Sequence, residues 1–264
     1  MERLLDGRSV IITGAGSGVG HEASKLFARH GAKLICADIR TDLLEETLSA
    51  VKSAGGEARM IRCDVSRKAD VAAAVGEAVR AYGRLDVIFN NVGVISPKTS
   101  AGTMAQLAEN TEEDIDRLLA VNVKGVIFGC QLAIQQFRAQ GGGGVIVNTA
   151  SVSGLIGFGG VLYGTTKGAV VNLTRSLALE VASEGIRVNA VCPAAMATRF
   201  QTGGQSLVPP EAAQALAKYH PLRKPIDPMD AANAALFLAS DLSSNVTGVN
   251  LPVDGGLTAG RSLG

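Results

Sequence analysis

Short apolar runs rich in β-branched residues alternate with longer amphipathic stretches along most of this chain. The alternation predicts repeated βαβ units, whose right-handed crossovers place helices on both faces of a parallel sheet. We therefore expect an α/β fold with a doubly wound, seven-stranded parallel sheet. The predicted strands are residues 9–12, 33–37, 58–63, 85–90, 145–148, 186–191 and 249–252. The predicted helices are residues 18–29, 41–53, 68–81, 112–139, 162–183 and 230–240.

The first predicted strand runs directly into a glycine-rich turn, TGAGSGVG from Thr13 to Gly20, and then into a helical pattern. Glycines allow positive φ and bring the backbone and the helix N-terminus against a pyrophosphate. A strand before the turn and a helix after it are the context that a dinucleotide site requires. The turn therefore predicts dinucleotide binding.

An acidic residue, Asp38, ends the second predicted strand. A carboxylate there accepts hydrogen bonds from both adenosine ribose hydroxyls and repels a 2′-phosphate, which favours NAD over NADP. Arg40 could tolerate a phosphate in principle, but it lies two positions further on, and we expect the carboxylate to dominate.

A tyrosine and a lysine, Tyr163 and Lys167, are spaced to share one face of a predicted helix. A nearby ammonium stabilises a phenolate, so this tyrosine could act as a base below its usual pKa. Ser151 follows the fifth predicted strand, at the sheet edge where open α/β folds place their sites, and could hydrogen-bond a substrate oxygen. Ser153 is interpreted as a turn or cap residue.

Composition excludes several other classes of function. The 25 basic and 24 acidic residues nearly cancel and form no basic run, so nucleic acid is not an expected partner. No segment approaches the apolar length of a membrane span or a signal peptide. The four cysteines and three histidines are scattered without ligand spacing, so we expect reduced core thiols in a cytoplasmic protein and no metal site.

The ordered set of these motifs resembles the classical short-chain dehydrogenase/reductase family over nearly the whole chain. It comprises TGAGSGVG, Asp64-Val65, the Asn90–Gly93 turn, Asn122 within VNVKG, Ser151, YGTTK and the terminal VDGG. The resemblance implies a single-domain Rossmann fold across residues 1–264. An excursion at about 198–228 would cover the substrate.

The resemblance implies a catalytic role for each of four residues. Tyr163 would be the general acid/base. Lys167 would lower its pKa and bind the nicotinamide ribose, and Ser151 would orient and polarise the substrate oxygen. Asn122 would hold a water in a proton relay, supported by a local distortion of its helix. The presence of all four implies an active enzyme.

The resemblance also implies the cofactor contacts. The glycine-rich turn would bind through its backbone, Asp64 and Val65 would recognise adenine, and Asn91 and Gly93 would lie near the adenosine ribose. Backbone at Met196 and the Thr198 hydroxyl would hold the carboxamide. The full expected set is Gly14, Ser17, Gly18, Val19, Gly20, Asp38, Asp64, Val65, Asn91, Gly93, Tyr163, Lys167, Met196 and Thr198.

Two positions depart from the family pattern. Val92 replaces an alanine in the turn after the fourth strand, which puts close packing near the cofactor in question. Ala194 replaces a glycine after Pro193, where a positive φ would be costly for alanine.

The substrate pocket is expected to be largely apolar and to lie near residues 96–101, after Ser151, and along 198–219. Its expected lining is Leu155, Ile156, Phe158, Met196 and Phe200, with Arg199 as a candidate cation. The leading hypothesis is an NAD-dependent dehydrogenase acting on a neutral, apolar or cyclic secondary alcohol or ketone. The alternatives are an NADPH-dependent 3-oxoacyl thioester reductase and a non-catalytic dinucleotide-binding sensor.

The helices at 112–139 and 162–183 carry more apolar surface than one sheet face is expected to cover. The resemblance implies that they pack across a two-fold axis, usually within a homotetramer, with a dimer as the alternative.

Overall fold

The computed structural model describes residues 3–97, 104–202 and 210–260. Its strands are β1 (Ser9–Thr13), β2 (Lys33–Asp38), β3 (Glu57–Arg62), β4 (Val87–Asn90), β5 (Gly144–Thr149), β6 (Ile186–Pro193) and β7 (Asn250–Val253). Its α-helices are α1 (Gly18–Arg29), α2 (Thr41–Ser53), α3 (Lys68–Tyr82), α4 (Glu112–Leu119), α5 (Gly125–Gln140), α6 (Val161–Val181), α7 (Pro210–Leu216) and α8 (Pro228–Ala239).

The strands form one parallel sheet in the order β3-β2-β1-β4-β5-β6-β7. The predicted doubly wound, seven-stranded sheet is confirmed. The order reverses direction at β1, whose two neighbours are β2 and β4. Open α/β sheets bind ligands beyond the carboxyl ends of the strands at such a switch point.

The core has two halves because alternate side chains of a strand point to opposite faces of the sheet. Val10 and Ile12 belong to the half that includes Phe27 of α1 and Leu236 of α8. Ile11, between them in sequence, belongs to the half that α3, α5 and α6 cover. Every residue of β1 is buried, as expected for a central strand with helices on both sides.

The helix expected at 112–139 is interrupted. A π-helical segment, Ala120–Lys124, separates α4 from α5. It contains Asn122, whose side-chain amide donates to the Val94 carbonyl and whose Oδ1 accepts from the Val94 N–H, each at 2.8 Å. The π-helical segment thus directs the Asn122 side chain to the backbone of Val94. The hydrophobic pattern of an uninterrupted helix does not predict this contact.

Two boundaries differ from the sequence prediction for identifiable reasons, and one further helix was not predicted. Strand β4 begins at Val87 and not at 85, because the Leu85 N–H donates to the side chain of Gln140 (3.1 Å). Helix α8 begins earlier, at Pro228, with Asp227 accepting from the Met229 N–H as N-cap. Helix α7 lies within the excursion, where no helix was predicted.

By length and apolar composition, Glu112–Gln140 also qualifies as a candidate membrane span. Its apolar side chains Val126, Ala133 and Phe137 are buried against the sheet. That is the pattern of a helix in the core of a folded domain.

Substitution of Gly129 tests how tightly α5 packs, and substitution of Gly76 on α3 is the control. A Cβ on Gly129 of α5 would lie 2.0 Å from the Asn90 side-chain oxygen, whereas a Cβ on Gly76 of α3 would have nothing within 4 Å. We expect Gly129→Ala to lower the free energy of unfolding, because the buried Asn90 amide must move. Gly76→Ala should raise it by about 0.5–1 kcal/mol through helix propensity. Urea unfolding of both variants measures this, and equal effects of the two substitutions would contradict the packing.

Candidate active site

A cavity of about 1140 Å³ opens at the carboxyl ends of the strands. It brings together residues that lie far apart in the sequence: Gly14, Ser17, Gly18, Val19, Asp38, Asp64, Val65, Asn91, Gly93, Ser151, Tyr163, Lys167, Met196 and Thr198. Two further predicted residues, Gly20 and Asn122, lie behind its wall; Asn122 is fully buried.

The turn between β1 and α1 can be built only with glycines at its closest contacts. A Cβ on Gly20 would lie 2.0 Å from the Gly14 carbonyl oxygen, and Gly14 itself has a φ of +67°. Helix α1 starts at Gly18, and no side chain caps it. Its first residues, Gly18 and Val19, line the cavity, which fits a pyrophosphate bound at a helix N-terminus.

Asp38 stands at the wall beside this turn. One carboxylate oxygen accepts from the Gly16 N–H and the other from the Arg40 N–H, both at 3.0 Å. The Arg40 guanidinium turns to Asp42, donating to both of its oxygens at 2.9 and 2.6 Å. This pairing raises the pKa of Arg40 and lowers that of Asp42. The Arg40 guanidinium is therefore paired with Asp42 and not with Asp38.

The Asn91 side chain links the carboxyl ends of β1, β4 and β5. Its side-chain amide donates to the Thr13 carbonyl (3.2 Å), and its Oδ1 accepts from the Thr149 hydroxyl (3.1 Å). Gly93 lies between two of the predicted catalytic residues, because a Cβ there would be 3.4 Å from Lys167 Nζ and 3.5 Å from Asn122 Oδ1. Sequence reasoning missed Thr149, although a polar residue at the carboxyl end of a predicted strand is a signal for it.

Tyr163 and Lys167 lie one turn apart on α6, and both face the cavity. They are 8% and 1% exposed, with Lys167 Nζ 5.8 Å from the centroid of the Tyr163 ring. Lys167 Nζ donates to the Thr149 carbonyl at 2.8 Å. The arrangement places an ammonium, a phenol and the Ser151 hydroxyl around one volume.

Burial controls the titration of this pair. It lowers the pKa of Lys167 to about 8. It raises the pKa of the Tyr163 phenol, and a hydrogen bond with Ser151 opposes that rise. The lowering of the Tyr163 pKa by Lys167 that the family resemblance implies stays a prediction, and burial is the main cause of the raised pKa in this structure.

The Asn122 side chain links the π-helical segment to two other parts of the structure. Besides clamping Val94, its amide donates to the Thr166 hydroxyl at 3.1 Å, which ties the π-helical segment to α6. The helix distortion expected around Asn122 is present.

The substrate end of the cavity agrees in part with the expected lining. Phe158, Met196 and Phe200 line it, together with Arg199. Leu155 and Ile156 do not: Leu155 packs against the core and Ile156 is 37% exposed, because the short turn after Ser151 directs both away. Of the expected segments, residues 98–101 and 203–209 lie outside the described residues.

Several lining residues were not anticipated. They are Val94, Met104 and Arg117, whereas Leu216 and Tyr219 fall within the expected segment 198–219. Tyr219 meets Phe158 edge to face at 5.9 Å, and Phe200 lies 5.9 Å from the Tyr163 ring. The amphipathic phase of α4 could have indicated Arg117, whereas no local pattern marks the others.

The two departures from the family pattern are accommodated. In the described part of the chain the one non-glycine residue with positive φ is Arg223, so Ala194 carries no such strain. Val92 packs against the glycine turn, where a Cβ on Gly14 would lie 3.2 Å from its methyl group. Within residues 3–97, 104–202 and 210–260, no group of three or more His, Cys, Asp or Glu side chains could hold a metal ion.

The lowered pKa of Lys167 predicts a pH dependence of stability. Between about pH 8 and its ordinary value of 10.5, the unfolded chain keeps the lysine proton and the folded chain loses it. Stability rises with pH wherever the unfolded state binds more protons. Relative to Lys167→Met, the wild type should therefore gain about 1 kcal/mol of unfolding free energy from pH 7.5 to 9. Other titrating groups are common to both proteins and largely cancel; a pH-independent difference in urea unfolding would contradict the prediction.

Comparisons with known proteins agree with this geometry. A family model described as "Enoyl-(Acyl carrier protein) reductase" matches residues 14–258. The chain is 35% identical to 3beta-hydroxysteroid dehydrogenase 2 of Eggerthella lenta, covering 97% of this chain and 96% of that protein. It is 36% identical to meso-2,3-butanediol dehydrogenase of Serratia marcescens, with the same two coverages. The crystal structure of levodione reductase superposes with a TM-score of 0.88 at 33% identity, covering 97% of this chain and 100% of that one. The chain belongs to the short-chain dehydrogenase/reductase family of oxidoreductases, which bind a nicotinamide dinucleotide.

Proposed function

We propose that the protein is an NAD-dependent dehydrogenase that moves hydride between nicotinamide and a secondary alcohol or the matching ketone. The observation that carries the proposal is the burial of Tyr163, Lys167 and Ser151 in one cavity wall, with Asp38 and the glycine turn in the same cavity. An absorbance assay of reduced nicotinamide against a panel of secondary alcohols, with NAD and NADP in parallel, tests it directly.

The chain's own groups would handle the substrate oxygen and its proton. When bound, the nicotinamide supplies the hydride acceptor or donor at its C4. Ser151 donates a hydrogen bond to the substrate oxygen, and Tyr163 takes the hydroxyl proton in oxidation and returns it in reduction. Lys167 would hold positive charge one helical turn from the phenol and would bind the nicotinamide ribose. Asn122 fixes the backbone of Val94 beside them and would support a water in the proton relay.

Two features support NAD over NADP. The Asp38 carboxylate faces the cavity, where it would accept from ribose hydroxyls and repel a 2′-phosphate. Arg40, the cation that could offset this repulsion, already makes a two-point ion pair with Asp42. Adenine would lie against Asp64 and Val65, and Met196 and Thr198 would hold the carboxamide.

The cavity's substrate end supports a neutral, largely apolar or cyclic substrate. Phe158, Phe200, Leu216 and Tyr219 all line it. The relatives named above include a hydroxysteroid dehydrogenase and a diol dehydrogenase, which fits chemistry at a CH–OH carbon.

A thioester reductase using NADPH is the second candidate. The description of the matching family model favours it, as do Arg117 and Arg199 at the cavity wall, since cations suit an acidic carrier. Asp38 opposes a 2′-phosphate, and Ser17 offers it no positive charge. Exclusive use of acyl thioesters with NADPH would replace our proposal by this one. A dinucleotide sensor without turnover is the remaining alternative, which measurable turnover eliminates.

We also propose a cytoplasmic homotetramer, with a dimer as the alternative. Three apolar side chains on α4, α5 and α6 are exposed: Leu119 (38%), Ile127 (39%) and Leu179 (84%). Exposed apolar side chains on these helices suit packing across a two-fold axis. All four cysteines are free and buried, which fits a reducing compartment. Light scattering at micromolar concentration should give a multiple of the 27.1 kDa chain, and a monomeric mass would contradict the assembly.

Removing the Tyr163 hydroxyl tests the catalytic assignment. We expect Tyr163→Phe to lower kcat about 10²- to 10⁴-fold, the usual contribution of general acid–base catalysis, while the affinity for NADH is retained. Tyr82→Phe is the matched control, since the Tyr82 hydroxyl donates to the Leu34 carbonyl and lies outside the cavity lining. Comparable turnover in the two variants would remove Tyr163 from its assigned role.

Removing the Asp38 carboxylate tests the cofactor preference. Asp38→Ala should weaken NAD binding about 10- to 100-fold, because hydrogen bonds to a charged group are lost. It should also reduce the preference for NAD over NADP, because the repulsion of the 2′-phosphate is removed. Glu45→Ala is the matched control, an exposed acid on α2 that does not line the cavity. Fluorescence titration with each dinucleotide gives the affinities; an unchanged NAD to NADP ratio in Asp38→Ala would refute the assignment.

A further inference from the structure

A second serine lies beside Ser151 in the cavity wall. The 3₁₀ turn Val152–Gly154 follows β5 closely, with Ser151 as its N-cap. Ser151 Oγ accepts from the Ser153 backbone N–H at 3.1 Å and lies 3.3 Å from Ser153 Oγ. The two serines are 6% and 9% exposed, and both line the cavity. The Ser153 hydroxyl is therefore part of the immediate surroundings of the proposed catalytic hydroxyl.

The fold leaves room for the Ser153 hydroxyl. A Cβ on Gly159 would lie 2.6 Å from Ser153 Oγ, and Gly159 has a φ of +80°. Any other residue at this position would push against the hydroxyl. The backbone before α6 thus accommodates the side chain that sits against Ser151.

The Ser151 hydroxyl has one proton and two acceptor lone pairs to distribute. Its neighbours are the Ser153 N–H, the Ser153 hydroxyl, the Pro193 carbonyl at 3.3 Å and the Tyr163 phenol. If Ser151 donates to Ser153, to Pro193 or to the Tyr163 phenol, no proton remains for a substrate oxygen. In the described part of the chain, Ser151 is the one hydrogen-bond partner of the Ser153 hydroxyl.

We propose that Ser153 is a positioning residue that directs the Ser151 proton. With substrate bound, the Ser153 N–H and hydroxyl both donate to Ser151 Oγ and fill its two lone pairs. The Ser151 proton then remains free to be donated to the substrate oxygen. This inference rests on the proposed function, because it assumes that Ser151 contacts that oxygen.

The effect should appear in turnover more than in substrate binding. Two donors on one hydroxyl oxygen polarise its O–H bond and strengthen it as a donor. A stronger donor matters most where negative charge develops on the substrate oxygen, which is in the transition state. Losing the Ser153 hydroxyl should therefore lower kcat while leaving KM nearly unchanged.

A double-mutant cycle tests this coupling in the full-length enzyme. The variants are Ser153→Ala, Ser151→Ala and the double variant, assayed with NAD and the secondary alcohol oxidised fastest in the panel above. We expect Ser153→Ala to lower kcat about five- to twentyfold, with KM and the affinity for NADH unchanged within about twofold. In the Ser151→Ala background the same substitution should have no further effect, because its target hydroxyl is gone. Ser240→Ala, a buried serine whose hydroxyl donates to the Phe237 carbonyl, is the control and should keep wild-type kcat.

The outcomes separate this inference from the function on which it rests. Wild-type kcat in Ser153→Ala would overturn it, as would an equal loss with and without Ser151, since the effect would then not pass through Ser151. A wild-type kcat in Ser151→Ala, or the absence of alcohol turnover in the wild type, would instead overturn the proposed function and this inference with it.

Discussion

One chain of hydrogen bonds joins the two halves of the candidate site. The Asn91 amide donates to the Thr13 carbonyl at the start of the glycine turn, and its oxygen accepts from the Thr149 hydroxyl. The Thr149 carbonyl in turn accepts from Lys167 Nζ. The ends of β1, β4 and β5 and the face of α6 that carries Lys167 are therefore fixed relative to each other. The sheet therefore sets the distance between the glycine-rich turn and the proposed catalytic groups.

A buried polar layer supports this arrangement from below. The Asn90 amide donates to Asn148 Oδ1, and the Asn148 amide donates to the Thr174 hydroxyl of α6, each at 3.0 Å. Gly129 of α5 packs directly on Asn90. Buried amides are costly unless all their partners are present, so these contacts specify one packing of α5 and α6 on the sheet. The helices that carry Asn122, Tyr163 and Lys167 are held by specific partners as well as by apolar contact.

Local periodicity made most of the fold and the site predictable. The strand-turn-helix at Gly14 and the helical spacing of Tyr163 and Lys167 depend on neighbouring residues, and the structure places them together as expected. The pairing of Arg40 with Asp42, the Leu85 contact to Gln140 and the outward turn of Ile156 depend on irregular backbone, which has no repeating pattern to read. The π-helical segment was anticipated through the family resemblance and not from hydrophobic spacing, which continues through it.

The buried ammonium of Lys167 has a consequence for how this protein would respond to selection. Its desolvation lowers the stability of the fold at neutral pH, as the depressed pKa shows. Active sites commonly sacrifice stability in this way. A library screened for heat resistance alone would therefore accumulate apolar replacements at this position, and its most stable members would be those that had lost the lysine proposed to be catalytic. Thermal selection on this scaffold needs a simultaneous requirement for turnover.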